Sequence, residues 1–301
     1  MKERQIFMIL PCKIRDAILK EHLSILKLQE IRLRVGHPII LCYQGNEMVL
    51  SHQVTEAEVR ETLDYVANYS LYAYENELRQ GFLTVEGGHR VGMSGQVLME
   101  NGRVKNLKYI TSLNIRISHE ILHCADKLFP YITEKGILFH TMIISPPRCG
   151  KTTILRDLVR QISDGNSWIL GSTVGVVDER SELAGCYQGI PQNHIGMRTD
   201  VLDACPKAEG MMMLIRSMSP QVIAVDEIGA ENDIRAIQYA MHCGCKMLVT
   251  AHGESLEEFQ KKPLFEKLIK EQCFERFVVL ENRRTIGEIR SIHDKNGNVI
   301  C

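Results

Sequence analysis

The chain has 301 residues, of which 45% are hydrophobic, and this length predicts two domains rather than one. A formal net charge of −1 and an aromatic content of 6% argue against nucleic acid as a partner. No apolar run reaches the roughly 20 residues of a membrane span, so we expect an intracellular protein that is at most peripheral to a membrane.

The first part of the chain has the pattern of a small α+β domain. Its alternating or β-rich runs are short and are separated by turn residues, at residues 30–35, 39–43, 47–50, 81–97 and 113–117. Thr55 followed by Glu58 predicts a capping box at the start of a helix. We therefore predict a smaller N-terminal α+β domain over residues 1–120. Apolar residues at helical spacing then predict a linker helix over residues 121–135.

An apolar run over residues 136–144 leads into a loop with the spacing of a phosphate-binding motif. The loop and the first helical residues are Ser145, Pro146, Pro147, Arg148, Cys149, Gly150, Lys151, Thr152 and Thr153. Backbone N–H groups at the start of a helix bind phosphate, so this order of strand, loop and helix predicts ATP as the ligand. Lys151 is expected to reach the β- and γ-phosphates, and Thr152 to ligate Mg²⁺. Ser145 stands where glycine is usual, and a chance Gly-Lys-Thr in a loop is the alternative.

A second apolar run, residues 221–225, ends in Asp226 and Glu227. If this run is a buried parallel strand, both carboxylates lie at the edge of the sheet beside the phosphate loop. Asp226 suits Mg²⁺, directly or through a water molecule, and Glu227 suits a base that polarises the attacking water. The alternative is a solvated strand end without a chemical role.

A further buried-strand pattern, residues 174–178, lies between these two motifs and leads into more acidic residues. We expect Glu179 or Glu182 to polarise the water or to hold Mg²⁺. A structural ion pair of either glutamate with Arg180 is the equal alternative.

The next strand pattern, residues 246–253, contains Thr250 and His252, which fall where a γ-phosphate sensor should lie. An ordinary loop histidine is the alternative. Residues 274–281 and 285–292 are typical of closing strands. The repeated alternation of strand and helix predicts a parallel sheet with helices on both faces, in an α/β domain over residues 121–301.

These residues together resemble two known groups of proteins. The extra strand between the two nucleotide motifs and the glutamate directly after the metal-binding aspartate are similar to the additional-strand catalytic-glutamate branch of P-loop ATPases, whose core is RecA/AAA-like. Almost the whole chain resembles the stage III sporulation protein AA family of endospore-forming bacteria, a relative of the type II and type IV secretion ATPases. The segments that support this second resemblance are residues 30–34, 85–92, 114–117, 145–153, 177–182, 198–203 and 225–229.

The resemblance implies an ATPase of the mother-cell cytoplasm that energises a secretion-like complex in the membranes between mother cell and forespore. Its partners would be the membrane-embedded sporulation proteins of that complex, and it would assemble as a homo-hexamer. In such rings a neighbouring subunit supplies an arginine that stabilises the charge on the phosphoryl group in transfer. The candidates, each with an exposed or ion-paired arginine as its alternative, are Arg116 and Arg90 in the first domain and Arg180 and Arg198 in the second.

Two other functions stay open on the sequence alone. The first is a nucleic-acid-associated P-loop ATPase, which requires basic grooves studded with aromatic residues. The second is a nucleotide-gated scaffold with little turnover, against which the adjacent carboxylates of Asp226 and Glu227 argue.

Overall fold

The computed structural model of the chain describes residues 2–70, 74–281 and 287–301. By its internal packing the chain divides into two compact units. The first comprises Met1–His119 together with Gly185–Gln192, and the second comprises Glu120–Ala184 and Asn193–Cys301. The segment 185–192 therefore packs with the first unit although the chain on either side of it belongs to the second, an arrangement that the predicted domains do not include.

The first unit has six strands and four helices among the described residues. They are the strands β1 (Leu28–Arg34), β2 (Pro38–Tyr43), β3 (Asn46–Gln53), β4 (Phe82–Val85), β5 (His89–Glu100) and β6 (Arg103–Arg116), and the helices α1 (Lys2–Met8), α2 (Cys12–Leu19), α3 (Glu56–Val66) and α4 (Glu75–Gln80). The strands form one antiparallel sheet in the order β3-β2-β1-β6-β5-β4.

The core of the first unit lies on one face of this sheet. Alternate strand residues such as Ile31, Leu33 and Ile115 are fully buried and form one cluster with apolar residues of the four helices. Arg32 and Arg116 occupy the positions between them and lie on the opposite face, as the period of two in a strand requires.

The predicted capping box begins α3. The Glu58 N–H donates to Oγ1 of Thr55 at 3.3 Å, and the Thr55 N–H donates to Oε2 of Glu58 at 2.8 Å. Two backbone donors near the helix start thereby gain acceptors, and the prediction is confirmed.

The second unit is an α/β structure. Its strands are the short hairpin β7 (Thr133–Glu134) and β8 (Ile137–Leu138), followed by β9 (Thr141–Ser145), β10 (Val174–Asp178), β11 (Thr199–Asp203), β12 (Val222–Val225), β13 (Lys246–His252), β14 (Arg276–Glu281) and β15 (Glu288–Asp294). Its helices are α5 (Phe129–Ile132), α6 (Lys151–Asp164), α7 (Lys207–Ser217), α8 (Glu231–His242), α9 (Leu256–Gln260) and α10 (Glu266–Lys270). Within the described ranges, none of the helices is long and apolar enough to cross a bilayer.

Seven strands of the second unit form one sheet in the order β11-β10-β12-β13-β9-β14-β15, and every neighbouring pair except β14 with β15 is parallel. The predicted α/β class is confirmed. Strand β13 lies between β9 and β12, so one strand separates the two predicted nucleotide motifs in the sheet. Because β9, β12 and β13 are parallel, their carboxyl ends meet at one edge of the sheet, where ligands of such folds bind.

The predicted closing strands correspond to β14 and β15. The second of them was expected over residues 285–292, and β15 begins at Glu288. Residues 285 and 286 lie outside the described residues.

The continuous linker helix predicted over residues 121–135 is wrong. His123 has a left-handed backbone with φ 64°, and helical residues are confined to a 3-10 turn, Asp126–Leu128, and to α5. The N–H of Ala125 donates to Oδ2 of Asp157 on α6 at 2.9 Å rather than to a carbonyl of the preceding turn. A tertiary hydrogen bond and a left-handed residue thus interrupt the helix that the apolar spacing predicted.

Candidate nucleotide site

The loop between β9 and α6 has a backbone suited to bind phosphate. Ser145 ends β9, and its hydroxyl donates to the carbonyl oxygen of the next residue at 2.8 Å. Arg148 and Gly150 have left-handed backbones, with φ of 63° and 90°, and Gly150 is the N-cap of α6. The first N–H groups of a helix have no acceptor within it, so those of Lys151 and Thr152 are available to an anion.

The other predicted loop residues differ in exposure. Pro147 is exposed, Pro146 and Thr153 are half-buried, and Cys149 is buried. The Cys149 carbonyl oxygen accepts the N–H of Gly287 at 2.9 Å, which joins the loop to the segment that enters β15.

Lys151 is buried, with 5% of its surface exposed. Its Nζ is 3.2 Å from Nδ1 of His252 and 3.7 Å from Oε1 of Glu227. A buried ammonium group needs polar partners, and these two side chains supply them. The structure therefore brings together three predicted site residues from α6, from the end of β13 and from the end of β12.

Two hydroxyl groups bind the carboxylate of Asp226. Thr152 Oγ1 donates to Oδ2 at 2.6 Å, and Thr250 Oγ1 donates to Oδ1. Thr250 also accepts the N–H of Glu227 at 2.9 Å, because β12 and β13 are neighbouring parallel strands. Thr152 and Asp226, the two predicted magnesium ligands, are thus in direct contact.

The donors at this point fit Mg²⁺ bound together with a nucleotide. In the part of the chain that the structure describes, no group of three or more His, Cys, Asp or Glu side chains could hold a metal ion. Mg²⁺ commonly takes one or two protein oxygens and completes its octahedron with phosphate oxygens and water. The hydroxyl of Thr152 and the carboxylate of Asp226 meet that requirement.

Glu227 combines a strained backbone with a carboxylate whose two oxygens have different partners. Its φ of 53° is left-handed, which costs a non-glycine residue about 1–3 kcal/mol. The N–H of Ile228 donates to the carbonyl oxygen of Thr250 at 2.9 Å and helps to hold this conformation. Oε1 of Glu227 is 3.1 Å from Nε2 of His252, and Oε2 is 2.8 Å from Nη1 of Arg180.

The alternative of an ion pair with Arg180 is wrong for Glu179 and stays a prediction for Glu182. Glu179 pairs with Lys207 at the start of α7, and Arg180 donates to Glu227 instead. The two adjacent residues therefore have separate partners on different elements, and a role for Glu179 in polarising water stays a prediction.

Two buried charged residues, to which the sequence reasoning gave no role, shape the loop after β10. Asp178 accepts the N–H groups of Glu182 at 2.9 Å and Ala184 at 2.8 Å. Arg156 on α6 donates to the carbonyl oxygens of Leu183 at 2.7 Å and Glu182 at 2.5 Å. Burial raises the pKa of Asp178 and lowers the pKa of Arg156 from their ordinary values. A single arginine on the apolar face of α6 is the sequence signal that could have identified Arg156.

Arg198 is bound within the second unit. Its Nη1 donates to the carbonyl oxygen of Ser163 at 2.8 Å, and its N–H donates to Oγ of Ser163 at 2.7 Å. At about 1.5 Å per residue, Ser163 lies roughly 18 Å along α6 from Lys151. The structure does not bring Arg198 to the nucleotide site of its own chain.

The two arginine candidates of the first unit also have partners there. Arg116 is 60% exposed, and its Nε is 3.9 Å from Oε1 of Glu30. The guanidinium carbon of Arg90 lies 3.4 Å from the ring centroid of Phe82. Action of either residue on a neighbouring subunit stays a prediction.

The fold and the site together define a class, the α/β P-loop ATPase fold with an N-terminal domain. Among the solved structures that share this fold are the following two. The ATPase DotB of Legionella pneumophila has a TM-score of 0.59 and 15% identity over 94% of this chain and 80% of its own. The pilus retraction motor PilT, solved with bound ADP, has a TM-score of 0.58 and 13% identity over 93% of this chain and 80% of its own. At such identities the likeness shows the fold alone.

The particular family follows from sequence. The chain belongs to the family described as Sporulation stage III, protein AA, whose model matches residues 1–300. It is 46% identical over 275 residues to Stage III sporulation protein AA of Bacillus subtilis (strain 168), which covers 91% of this chain and 89% of that relative. The family resemblance is therefore confirmed.

Proposed function

We propose that this protein is an Mg²⁺-dependent ATPase that energises a secretion-like complex across the membranes between mother cell and forespore during sporulation. The proposal rests above all on the contact between Thr152 and Asp226 at 2.6 Å, beside Lys151 and Glu227. A metal-binding oxygen pair, a buried ammonium group and an adjacent carboxylate are the groups that transfer of a phosphoryl group to water requires. Family membership and the fold shared with secretion ATPases support the biological setting.

Each residue has a separate role in this proposal. The loop and the first N–H groups of α6 bind the phosphates, and Lys151 pairs with the terminal ones. Thr152 and Asp226 hold Mg²⁺, which when bound neutralises charge on the phosphates. Glu227 takes the proton of the attacking water. His252, 3.1 Å from that carboxylate, contacts the terminal phosphate.

We further propose that the protein acts as a homo-hexamer in the mother-cell cytoplasm, peripheral to a membrane complex whose embedded sporulation proteins it binds. An arginine of a neighbouring subunit then stabilises the transferring phosphoryl group. Arg116 is a better candidate than Arg198, because its side chain is 60% exposed whereas Arg198 is bound to α6.

The test is steady-state ATP hydrolysis measured against protein concentration, together with molar mass from light scattering. We expect Mg²⁺-dependent activity that rises cooperatively as rings form and that is lost in Lys151→Ala and in Glu227→Gln. Lys270→Ala is the matched control, because it removes a 74% exposed partner of a surface ion pair on α10 and should hydrolyse ATP as the wild type does.

Three other results would contradict part of this proposal or favour another function. Normal hydrolysis by Glu227→Gln would eliminate the proposed base. ATP binding without turnover under any condition would favour a nucleotide-gated scaffold. Stimulation of hydrolysis by single-stranded nucleic acid at low salt would favour a nucleic-acid-associated ATPase.

A further inference from the structure

Arg180 and Glu227 form an ion pair within one chain. Nη1 of Arg180 is 2.8 Å from Oε2 of Glu227, with 61% of the arginine side chain and 22% of the glutamate side chain exposed. Arg180 follows β10 and Glu227 follows β12, which are neighbouring parallel strands. Both residues therefore lie at the same edge of the sheet, and their contact needs no second subunit.

The carboxylate of Glu227 is divided between two sets of partners. Oε1 is 3.1 Å from His252 and 3.7 Å from Lys151, the groups that face the proposed phosphates. Oε2 is the oxygen that Arg180 binds. A carboxylate held at Oε2 cannot rotate freely about the Cγ–Cδ bond, so Oε1 stays directed at the phosphate loop.

The backbone on both sides of Arg180 is fixed. The side chain of Glu179 pairs with Lys207 on α7. Ser181 has a left-handed backbone with φ 52°, and its Oγ donates to Asp203 at 2.6 Å. Arg180 thus extends from an anchored loop, which keeps its guanidinium group near Glu227 although most of the side chain is exposed.

We propose that Arg180 is a positioning residue for Glu227 in the same subunit, and not the arginine that a neighbouring subunit supplies. It binds Oε2 and so directs Oε1 at the water that attacks the terminal phosphate. This inference rests on the proposed function, in which Glu227 is the base. Because a largely exposed ion pair adds little to stability, loss of Arg180 affects turnover more than folding.

Three variants separate positioning from a structural role. Arg180→Ala should lower kcat by about 10- to 100-fold, because a displacement of about 1 Å at a reacting group costs that much, and should leave KM for ATP within about twofold. Arg180→Lys restores a charged donor and should recover part of kcat. Arg216→Ala removes an exposed arginine of α7 and should match the wild type. An unchanged kcat in Arg180→Ala would overturn the proposal.

Mixed rings decide between action in the same subunit and action on a neighbour. In a mixture of Arg180→Ala and Glu227→Gln subunits, no subunit holds both residues, so we expect only the summed activity of the two variants. If Arg180 acted on the neighbouring site, Glu227→Gln subunits would supply the missing arginine, and activity above that sum would overturn the proposal. Energy transfer between labelled subunits verifies that they exchange. If the protein hydrolyses ATP as a monomer, a defect of Arg180→Ala arises within one chain and supports the proposal directly.

Failure of the proposed function would be visible separately, as absence of hydrolysis by the wild type. The ion pair is then tested in nucleotide-free protein by comparing melting temperatures of the two single variants and the double variant. We expect the double variant to lose less than the sum of the single losses. Strictly additive losses at low ionic strength, where an exposed ion pair is strongest, would overturn the pairing on which the positioning role depends.

Discussion

Thr152 on α6 and Asp226 after β12 are joined by a hydrogen bond of 2.6 Å between Oγ1 and Oδ2, across 74 positions of sequence. These are the two atoms that we propose as protein ligands of Mg²⁺. Because folding alone places them side by side, an ion bound by both oxygens would find them adjacent, and little reorganisation would oppose its binding.

The charge of Asp226 should decide the Mg²⁺ dependence of nucleotide binding. Asp226→Asn keeps the size of the side chain and an acceptor for Thr152 but removes the negative charge. We expect the affinity for ATP in the presence of Mg²⁺ to fall about tenfold or more, with little change in its absence. Titration of a fluorescent ATP analogue with and without Mg²⁺ measures both values. Asp16→Asn, at an exposed position of α2, is the control, and an unaltered Mg²⁺ dependence in Asp226→Asn would contradict the metal role.

The hydroxyl of Thr250 should stabilise the fold as well as the site. This fully buried residue binds both Asp226 and the N–H of Glu227. Thr250→Val has the same shape but leaves both groups without this partner, so we expect the free energy of unfolding to fall by about 1–3 kcal/mol. Thr250→Ser keeps the hydroxyl and should lose less. Urea denaturation compares them, and a valine variant as stable as the wild type would refute the expectation.

The left-handed backbone of Glu227 should lower the free energy of unfolding, because glycine adopts this conformation without strain and other residues do not. Glycine adopts a φ of 53° freely, whereas alanine pays roughly 1 kcal/mol or more. We therefore expect Glu227→Gly to be more stable than Glu227→Ala by about 1 kcal/mol, with both variants inactive. The same pair of substitutions at Asp226, which is not left-handed, should show the opposite order. Thermal unfolding of the four variants tests this.

His140 should make stability depend on pH. Its Nδ1 accepts the N–H of Met247 at 3.1 Å, and burial, assisted by the charge of Lys246, lowers the pKa of His140 from 6.5 to about 4. The unfolded chain therefore binds a proton at higher pH than the folded chain does. The stability linked to His140 is complete above about pH 6.5 and is lost as the pH falls towards 4.

A substitution at His140 isolates this effect. His140→Asn keeps a side-chain acceptor but cannot titrate. Between about pH 7 and pH 5, the wild type should lose roughly 2 kcal/mol more of its free energy of unfolding than the variant loses. Urea denaturation at the two pH values measures the difference, and an identical pH dependence in both proteins would exclude His140 as its source.

Local residue order determined the phosphate-binding part of the site. The apolar run, the loop and the helical pattern predicted β9, the phosphate loop and α6, because strand period, helix period and loop spacing are properties of neighbouring residues. A second apolar run likewise predicted β12, with Asp226 and Glu227 at its end. The sequence also determined the family, through motifs spread along most of the chain.

Only the tertiary structure decided which distant side chains meet. Glu179 binds Lys207 rather than the adjacent Arg180, and Arg180 binds Glu227, across 28 and 47 positions of sequence. Asp157 of α6 binds the N–H of Ala125 and so interrupts a helix that the apolar spacing favoured. Such contacts depend on the order of strands in the sheet and on the reach of long side chains, which no local pattern encodes. The sequence therefore determined which chemical groups are available, and folding decided which oxygen of Glu227 each positive charge faces.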